Sequence, residues 1–194
     1  MAATTKGRQI EGKQVNKQAK HRFVIGIDPA SHRCGYAVMD IGGDLLAYGT
    51  ISNHSKDLVR RIRAIRQGLE NMMFTAHLLD PFDPTDTPAE ALLAYEAPYS
   101  GTGAGSSGRS GLQQVWIAIG MIITLPVETV MPLHVATVQA TWGRKKTMDR
   151  KTGKEYAVKL ANETYGIALE PEDSDTADAI WVAATAIRKI REGK

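Results

Sequence analysis

The sequence predicts an α/β domain: a mixed five-stranded sheet flanked by helices. Short runs rich in Val, Ile, Leu and Tyr recur at residues 23–28, 35–41, 44–51, 92–95 and 130–135, a composition that suits strands. Beyond the third run, the strands alternate with segments whose apolar residues return every three or four positions, the period of a helix packed along one face. A third observation sets the start of the sheet. Gly42-Gly43 separates the second and third runs, and two glycines accept the positive φ of a two-residue hairpin turn. The first three strands are therefore expected to include antiparallel pairs.

The first run, Phe23-Val24-Ile25-Gly26-Ile27-Asp28, is apolar on both faces, as a central strand covered on both sides requires. Pro29 has no N–H to donate and stops the ladder, which leaves Asp28 at the rim of a rigid sheet. Taken alone, Asp28 reads as an acid capping the turn before Ser31. Residues 55–79 carry Leu58, Ile62, Ile65, Leu69, Met72, Ala76 and Leu79 on one helical face. Arg60, Arg61, Arg63 and Arg66 take the other faces, where solvation is the plainer reading and phosphate contact the sharper one. Prolines 81, 84 and 88 make residues 80–88 a loop. Leu92–Tyr95 is the fourth strand, closed by Glu96 just before Ala97-Pro98, so the pattern of Ile27-Asp28-Pro29 is repeated. Ligands of open α/β sheets gather at such carboxyl ends.

Residues 100–110 form a Gly/Ser loop in which residues 103–108 match G-x-G-x-x-G. The acid about 20 residues on, Glu128, precedes the next strand instead of following it, and no Lys-Ser or Lys-Thr pair completes a phosphate loop. A flexible loop over a site fits better, and no nucleotide cofactor is expected. Residues 110–125 are helical and apolar nearly all round. After the fifth strand comes a basic segment from Thr141, then a helix near 156–165. The last helix starts at Asp173 or Ser174, either of them a good N-cap, and runs to about Ile190.

At 194 residues the chain has the size of one domain, with 43% apolar and 23% charged residues as in ordinary globular proteins. No apolar run reaches the roughly 20 residues of a membrane helix, and the first twenty residues have no hydrophobic centre. The single cysteine, Cys34, excludes an internal disulfide and suits a reducing, cytoplasmic setting. A net charge of +3 is unevenly spread. Lys6, Arg8, Lys13, Lys17 and Lys20 make residues 1–21 a disordered basic arm. Arg144, Lys145, Lys146, Arg150, Lys151, Lys154 and Lys159 form a second block. Such blocks suit a polyanionic partner; each also reads as a solvated tail or loop.

Asp175 and Asp178 are three apart in the first turns of the last helix, so both lie on one face. Singly, each reads as an acid complementing the helix dipole. With Asp28 and Glu96 they make four carboxylates able to meet at one place, where they repel one another unless a cation neutralises them. Oxygen donors without His or Cys nearby in sequence point to Mg²⁺ or Mn²⁺. Two such ions about 4 Å apart suit in-line displacement at a phosphodiester.

Through these positions the stretch 22–190 resembles the RuvC-type Holliday-junction resolvases of the ribonuclease H-like nucleases. The resemblance rests on Gly26-Ile27-Asp28-Pro29 with Gly35-Tyr36, on Glu96 closing the fourth strand, and on Asp175-Thr176-Ala177-Asp178-Ala179 opening the last helix. It implies a ribonuclease H-like nuclease domain over 22–194. Asp28, Glu96, Asp175 and Asp178 would bind two metal ions there, with water attacking the phosphodiester of a four-way DNA junction to give paired nicks. It also implies that Tyr99, three residues after Glu96, stacks on a junction base. Arg109, Arg144, Lys145, Lys146 and Lys154 are the remaining candidate DNA contacts. Ala30 stands where the family commonly has Gly, and Glu172 or Asp173 are stand-ins for a named acid. The alternatives are a related nuclease acting on RNA or other branched substrates, and a junction-binding protein without chemistry. An actin-like ATP-binding fold needs two lobes, and this length supplies one. Residues 110–125, apolar on nearly every side, predict a symmetric homodimer, since one sheet covers only one face of a helix.

Overall fold

The computed structural model describes residues 21–75, 91–97, 106–125, 127 and 129–193, with the side chains of all of these except 106–112. Strands β1 (Phe23–Asp28), β2 (Arg33–Asp40) and β3 (Leu45–Ser52) lead into α1 (Leu58–Thr75), β4 (Ala91–Ala97) and α2 (Ser106–Ile122). Then follow β5 (Thr129–His134), α3 (Val135–Thr141), α4 (Arg150–Tyr165), a 3-10 turn at Pro171–Asp173, and α5 (Ser174–Arg191). The five strands form one sheet in the order β3-β2-β1-β4-β5. β1 pairs antiparallel with β2, and β2 with β3, while β4 runs parallel to both β1 and β5. The sheet is mixed, five-stranded and covered by helices, as the sequence predicts. Pro132 sits in β5, an edge strand, where a missing N–H costs the ladder least.

Side-chain alternation along β1 and β4 divides the core in two. Val24, Leu92 and Ala94 turn to one face, where they pack with Val138 of α3, Ala157, Val158 and Ala161 of α4, and Ala179, Ile180 and Ala183 of α5. Ile25, Ile27, Leu93 and Tyr95 turn to the other, against Ile65, Leu69 and Met73 of α1 and Ile119 and Ile122 of α2. β1 is thus buried on both faces, as its continuous apolar run requires.

The structure corrects several boundaries. The hairpin between β2 and β3 is a four-residue loop, Ile41–Asp44, closed by hydrogen bonds from Gly43 N to Asp40 O (3.0 Å) and from Asp40 N to Asp44 O (3.0 Å). A loop of that length needs one left-handed residue instead of two, and Gly43 supplies it with φ +99°. The last residues of the Gly/Ser loop, 106–110, belong to α2. α3 is not foreseen by the sequence pattern, which leads from β5 straight into the basic segment. The basic segment itself is partly helical, because α4 begins at Arg150, six residues before the expected start. Asp149 caps it, accepting from Thr152 N and Thr152 Oγ1 at 2.9 Å each. Residues 1–20 of the expected basic arm, residues 76–79 of the expected first helix and the loop at 80–88 lie outside the described residues.

Arg61, placed on a solvated face by helical periodicity, is buried with only 5% of its surface exposed. The start of α1 is overlaid by two loops and by α2, and the carbonyls there need donors. Arg61 gives Nε to Ser31 O (3.2 Å), Nη1 to Ser55 O (2.8 Å) and Lys56 O (3.2 Å), and Nη2 to Gln114 Oε1 (3.4 Å). Ser31 Oγ donates to the same Gln114 oxygen at 3.0 Å. The guanidinium fork therefore clamps the loop that follows Asp28.

Candidate active site

Asp28 and Glu96 meet because β1 and β4 are parallel and in register. Ile27 lies opposite Tyr95, so the next residue of each strand, an acid in both, stands side by side at the strand ends. Strand alternation turns both acids to the face that carries α5, the face of Val24, Ala94 and Gly26. α5 comes to them over glycine. A Cβ on Gly26 would collide with Ala179 O and come within 2.6 Å of Ala183 N, and a Cβ on Gly35 would collide with Asp175 O. Gly35 is the β2 partner of Asp28, so the first turn of α5 lies directly on the strand beside it. Buried Thr176 fixes that turn through a 2.8 Å hydroxyl contact with Thr50 of β3. Asp178 follows one turn later, on the same side as Asp175.

Asp28, Glu96 and Asp178 line a cleft of about 190 Å³ together with Trp142, Gln139 and the basic residues Arg144, Arg150 and Lys154. Arg144 lies along α4 at Gly153, where a Cβ would come 3.3 Å from its Nε. Asp175 is ion-paired twice, to Arg33 Nε through Oδ2 (3.1 Å) and to Lys154 Nζ through Oδ1 (3.3 Å). Lys154 Nζ also stands 3.7 Å from Asp178 Oδ2 and donates to Ser174 Oγ at 3.1 Å.

Burial and crowding act on these acids together. Burial first, then the charges of Asp178, Glu96 and Asp175, holds the Asp28 carboxyl well above the ordinary range. Burial and then Asp178 push Glu96 up to about 7, against the opposing pull of Lys154 and Arg144. Asp178 is raised to about 6, chiefly by burial, with Lys154 opposing and Asp175 adding to the rise. Carboxyl groups in this condition gain from a nearby cation. The donor set of four carboxylates at strand ends and a helix start, all oxygen, fits a hard divalent ion such as Mg²⁺ or Mn²⁺. Among the described residues, however, no three acidic, His or Cys side chains already close round an ion site.

All four predicted acids come to one end of the sheet. Of the predicted DNA contacts, Arg144 and Lys154 line the cleft, and Lys154 points into the acids themselves. Lys145 and Lys146 are exposed on the loop before α4. Arg109 belongs to α2, with its side chain outside the described ones, and Tyr99 lies outside the described residues. Asp173 Oδ2 accepts from Glu170 N at 3.0 Å, and the Glu172 carbonyl accepts from Arg33 Nη2 at 3.0 Å, so both residues are engaged at the turn before α5. Sequence reasoning missed Arg150 and Arg33 as site residues. Asp149, a helix-capping type just ahead of Arg150, is the signal that places Arg150 in a first helical turn; nothing local marks Arg33.

A mixed sheet in this strand order, with acids at the tips of β1 and β4 and in the first turns of the closing helix, is a ribonuclease H-like fold built round a carboxylate centre. The chain belongs to the RuvC family: the family model described as crossover junction endodeoxyribonuclease RuvC matches residues 24–186. A crossover junction endodeoxyribonuclease RuvC of Anaeromyxobacter sp. (strain K) is 28% identical over 164 residues, covering 83% of this chain and 78% of the relative. The RuvC of Psychrobacter sp. (strain PRwf-1) is 35% identical over 81 residues, 40% of this chain and 41% of that one. Among solved structures, T. thermophilus RuvC in complex with Holliday junction substrate superposes with a TM-score of 0.60 at 18% identity, covering 89% of this chain and 97% of that one. The yeast mitochondrial Holliday junction resolvase Ydc2 gives 0.53 at 12% identity, covering 89% and 82%. At these identities the structures speak to the fold.

Proposed function

We propose that Asp28, Glu96, Asp175 and Asp178 are the catalytic centre with which this chain, an endodeoxyribonuclease of the RuvC family, resolves four-way DNA junctions by paired nicks. The observation that carries the assignment is the convergence of acids from β1, β4 and α5 on one cleft whose other wall is basic. Nucleases of this family depend on divalent metal, and the four carboxylates would hold Mg²⁺ or Mn²⁺, two ions per centre. Ions held there would supply charge stabilisation to the attacking and the leaving oxygen of an in-line displacement at phosphorus. The chain's own residues do the rest. Arg144 and Arg150 at the cleft, with Lys145 and Lys146 on the exposed loop, draw the polyanionic strand across the acids and hold its phosphates. Tyr99, three residues beyond Glu96, stacks on a base opened at the junction. Arg61 and Gly35 keep the Asp28 loop and the first turn of α5 fixed, so the carboxylates meet the phosphodiester preorganised. Two copies related by a two-fold axis, joined through α2, match the approximate two-fold of the substrate.

The deciding experiment incubates the protein with a synthetic four-way junction, a linear duplex and an RNA–DNA hybrid, each with Mg²⁺ and with EDTA. Symmetric nicks on the junction alone, dependent on Mg²⁺, are expected. Asp28→Asn, Glu96→Gln and Asp178→Asn should each abolish cleavage while junction binding survives. Wild-type rates in any of them would remove that residue from the centre, and equal cleavage of the hybrid would reassign the substrate.

A further inference from the structure

Lys154 stands apart from the rest of its basic run. Lys151 and Lys159 each reach along the outer face of α4 to a glutamate one turn on, Glu155 at 3.9 Å and Glu163 at 3.7 Å. The Lys154 side chain instead runs inward, and its ammonium sits against Asp175 Oδ1, Asp178 Oδ2 and Ser174 Oγ at 3.3, 3.7 and 3.1 Å. Its origin is fixed by the core. Trp181 Nε1 of α5 donates to Ala157 O of α4 at 3.1 Å. Asn162 of α4 bonds both ways with the backbone of Leu169, at 2.9 and 2.8 Å. α4 is thus locked to α5, and the lysine enters the centre from an element that carries none of the acids.

An ion shared by Asp175 and Asp178 has to reach Asp175 through Oδ1, the oxygen this ammonium faces, and lies next to the Asp178 oxygen it also approaches. The other Asp175 oxygen is already held by Arg33. Two cations cannot occupy that place together, because like charges at such distances repel strongly in a partly buried cleft. The side chain has somewhere to go: it is 35% exposed and lines the cleft, and its four-carbon stem has freely rotating bonds.

We propose that Lys154 is a tethered counter-ion of the acidic centre, pairing with Asp175 and Asp178 while no metal is bound and displaced from them when a divalent ion enters, which frees its ammonium for a phosphate of the DNA strand. The proposal rests on the four acids being the metal ligands. Its consequence is an order of events: the phosphate contact of Lys154 becomes available only in a metal-loaded centre, and the metal-free acids are kept from repelling one another in the meantime. A lysine that simply contacts phosphate on the rim would leave metal affinity untouched.

The test titrates Mn²⁺ alone, without DNA, into the wild-type protein and into Lys154→Met and Lys154→Arg, by isothermal titration calorimetry, with thermal melting in EDTA and in Mn²⁺ alongside. Lys154→Met is expected to bind Mn²⁺ about two- to fivefold more tightly, the size of an exposed or half-exposed ion pair that no longer has to be broken. It should also melt lower than wild type in EDTA and recover more on adding Mn²⁺. Lys154→Arg, which keeps the charge, should stay near wild type. Lys154→Gln repeats the measurement should the methionine variant not fold. An Mn²⁺ affinity in Lys154→Met equal to or weaker than that of the wild type overturns the proposal while leaving the metal assignment standing. Absence of Mn²⁺ binding in the wild type overturns both.

Discussion

Asp28 and Glu96 are the last acids on adjacent parallel strands, and the same two forces act on each: loss of water and the nearness of other carboxylates. Their raised pKa values carry a stability cost whose sign is fixed. The folded, metal-free chain holds protons on Asp28, Glu96 and Asp178 at pH values where the unfolded chain has released them. Stability rises with pH only where the unfolded state binds more protons; here the folded state does, so these acids make stability fall with pH. The loss begins near the ordinary values of 3.8 and 4.5 and is complete once pH has passed about 6 for Asp178 and about 7 for Glu96. In EDTA the protein should therefore melt higher at pH 5 than at pH 8. Glu96→Gln, which cannot ionise, should narrow that difference and raise stability at pH 8 by on the order of 1–3 kcal/mol, since a tenfold change in a proton equilibrium is worth about 1.4 kcal/mol. Parallel melting curves for the two proteins across this range would falsify the assigned cost. The acids were legible in the sequence because strand ends and helix starts announce themselves by pattern. The direction of a long side chain does not. Lys154 read as a phosphate contact and Arg61 as a solvated charge, since charge is written in the sequence but the partner is decided by packing.

At the scale of elements, the site depends on how closely α5 lies on the sheet. Gly26 and Gly35 appear in the sequence as parts of short motifs, but what they do is visible only in three dimensions: each removes a side chain where the α5 backbone touches a strand. Gly35→Ala would put a methyl group into the carbonyl of Asp175. That contact is with backbone, which cannot swing away, so α5 must lift or tilt. The expected result is a destabilisation of about 1–3 kcal/mol, the usual cost of overpacking. Cleavage should be lost out of proportion, because Asp175 and Asp178 ride on the displaced turn. Denaturant unfolding and junction cleavage of the purified variant measure the two effects separately. Full cleavage in a protein of unchanged stability would show that the turn tolerates the shift. What the sequence pattern did not show, α3 and the first turns of α4, lacks an apolar period. α3 is a seven-residue helix, too short to show one, and the expected helix near 156–165 opens earlier, with basic residues that carry no apolar stripe. The mixed sheet, by contrast, followed from alternation and one hairpin, even though that hairpin has four loop residues in place of two.

At the scale of the molecule, α2 has a side that the other described residues leave exposed. Ala118, Ile119 and Ile122 face the core, whereas Trp116, Ile117 and Ile123 remain 47%, 42% and 44% exposed. Among the described side chains of residues 113–125 the apolar character thus divides into buried and open positions, and Ile119 is one of the buried ones. Trp116 and Ile117 of α2, with Ile123 in the turn just after it, are large exposed apolar side chains of the kind that gather at interaction surfaces. For a family whose substrate has near two-fold symmetry, the partner we propose is a second copy. An isologous contact needs only this helix, meeting itself across the axis. Trp116→Glu and Ile123→Glu should each turn a dimer into a monomer at micromolar concentration, read by analytical ultracentrifugation. Because both side chains lie outside the core, the monomers should keep their fold and their four acids. Such a monomer should still nick a junction strand but lose the pairing of the two nicks, which a cruciform plasmid reports as nicked circles in place of linear product. A wild-type protein that is monomeric and nonetheless yields linear product would place both nicks with a single centre and leave the open face of α2 to another use.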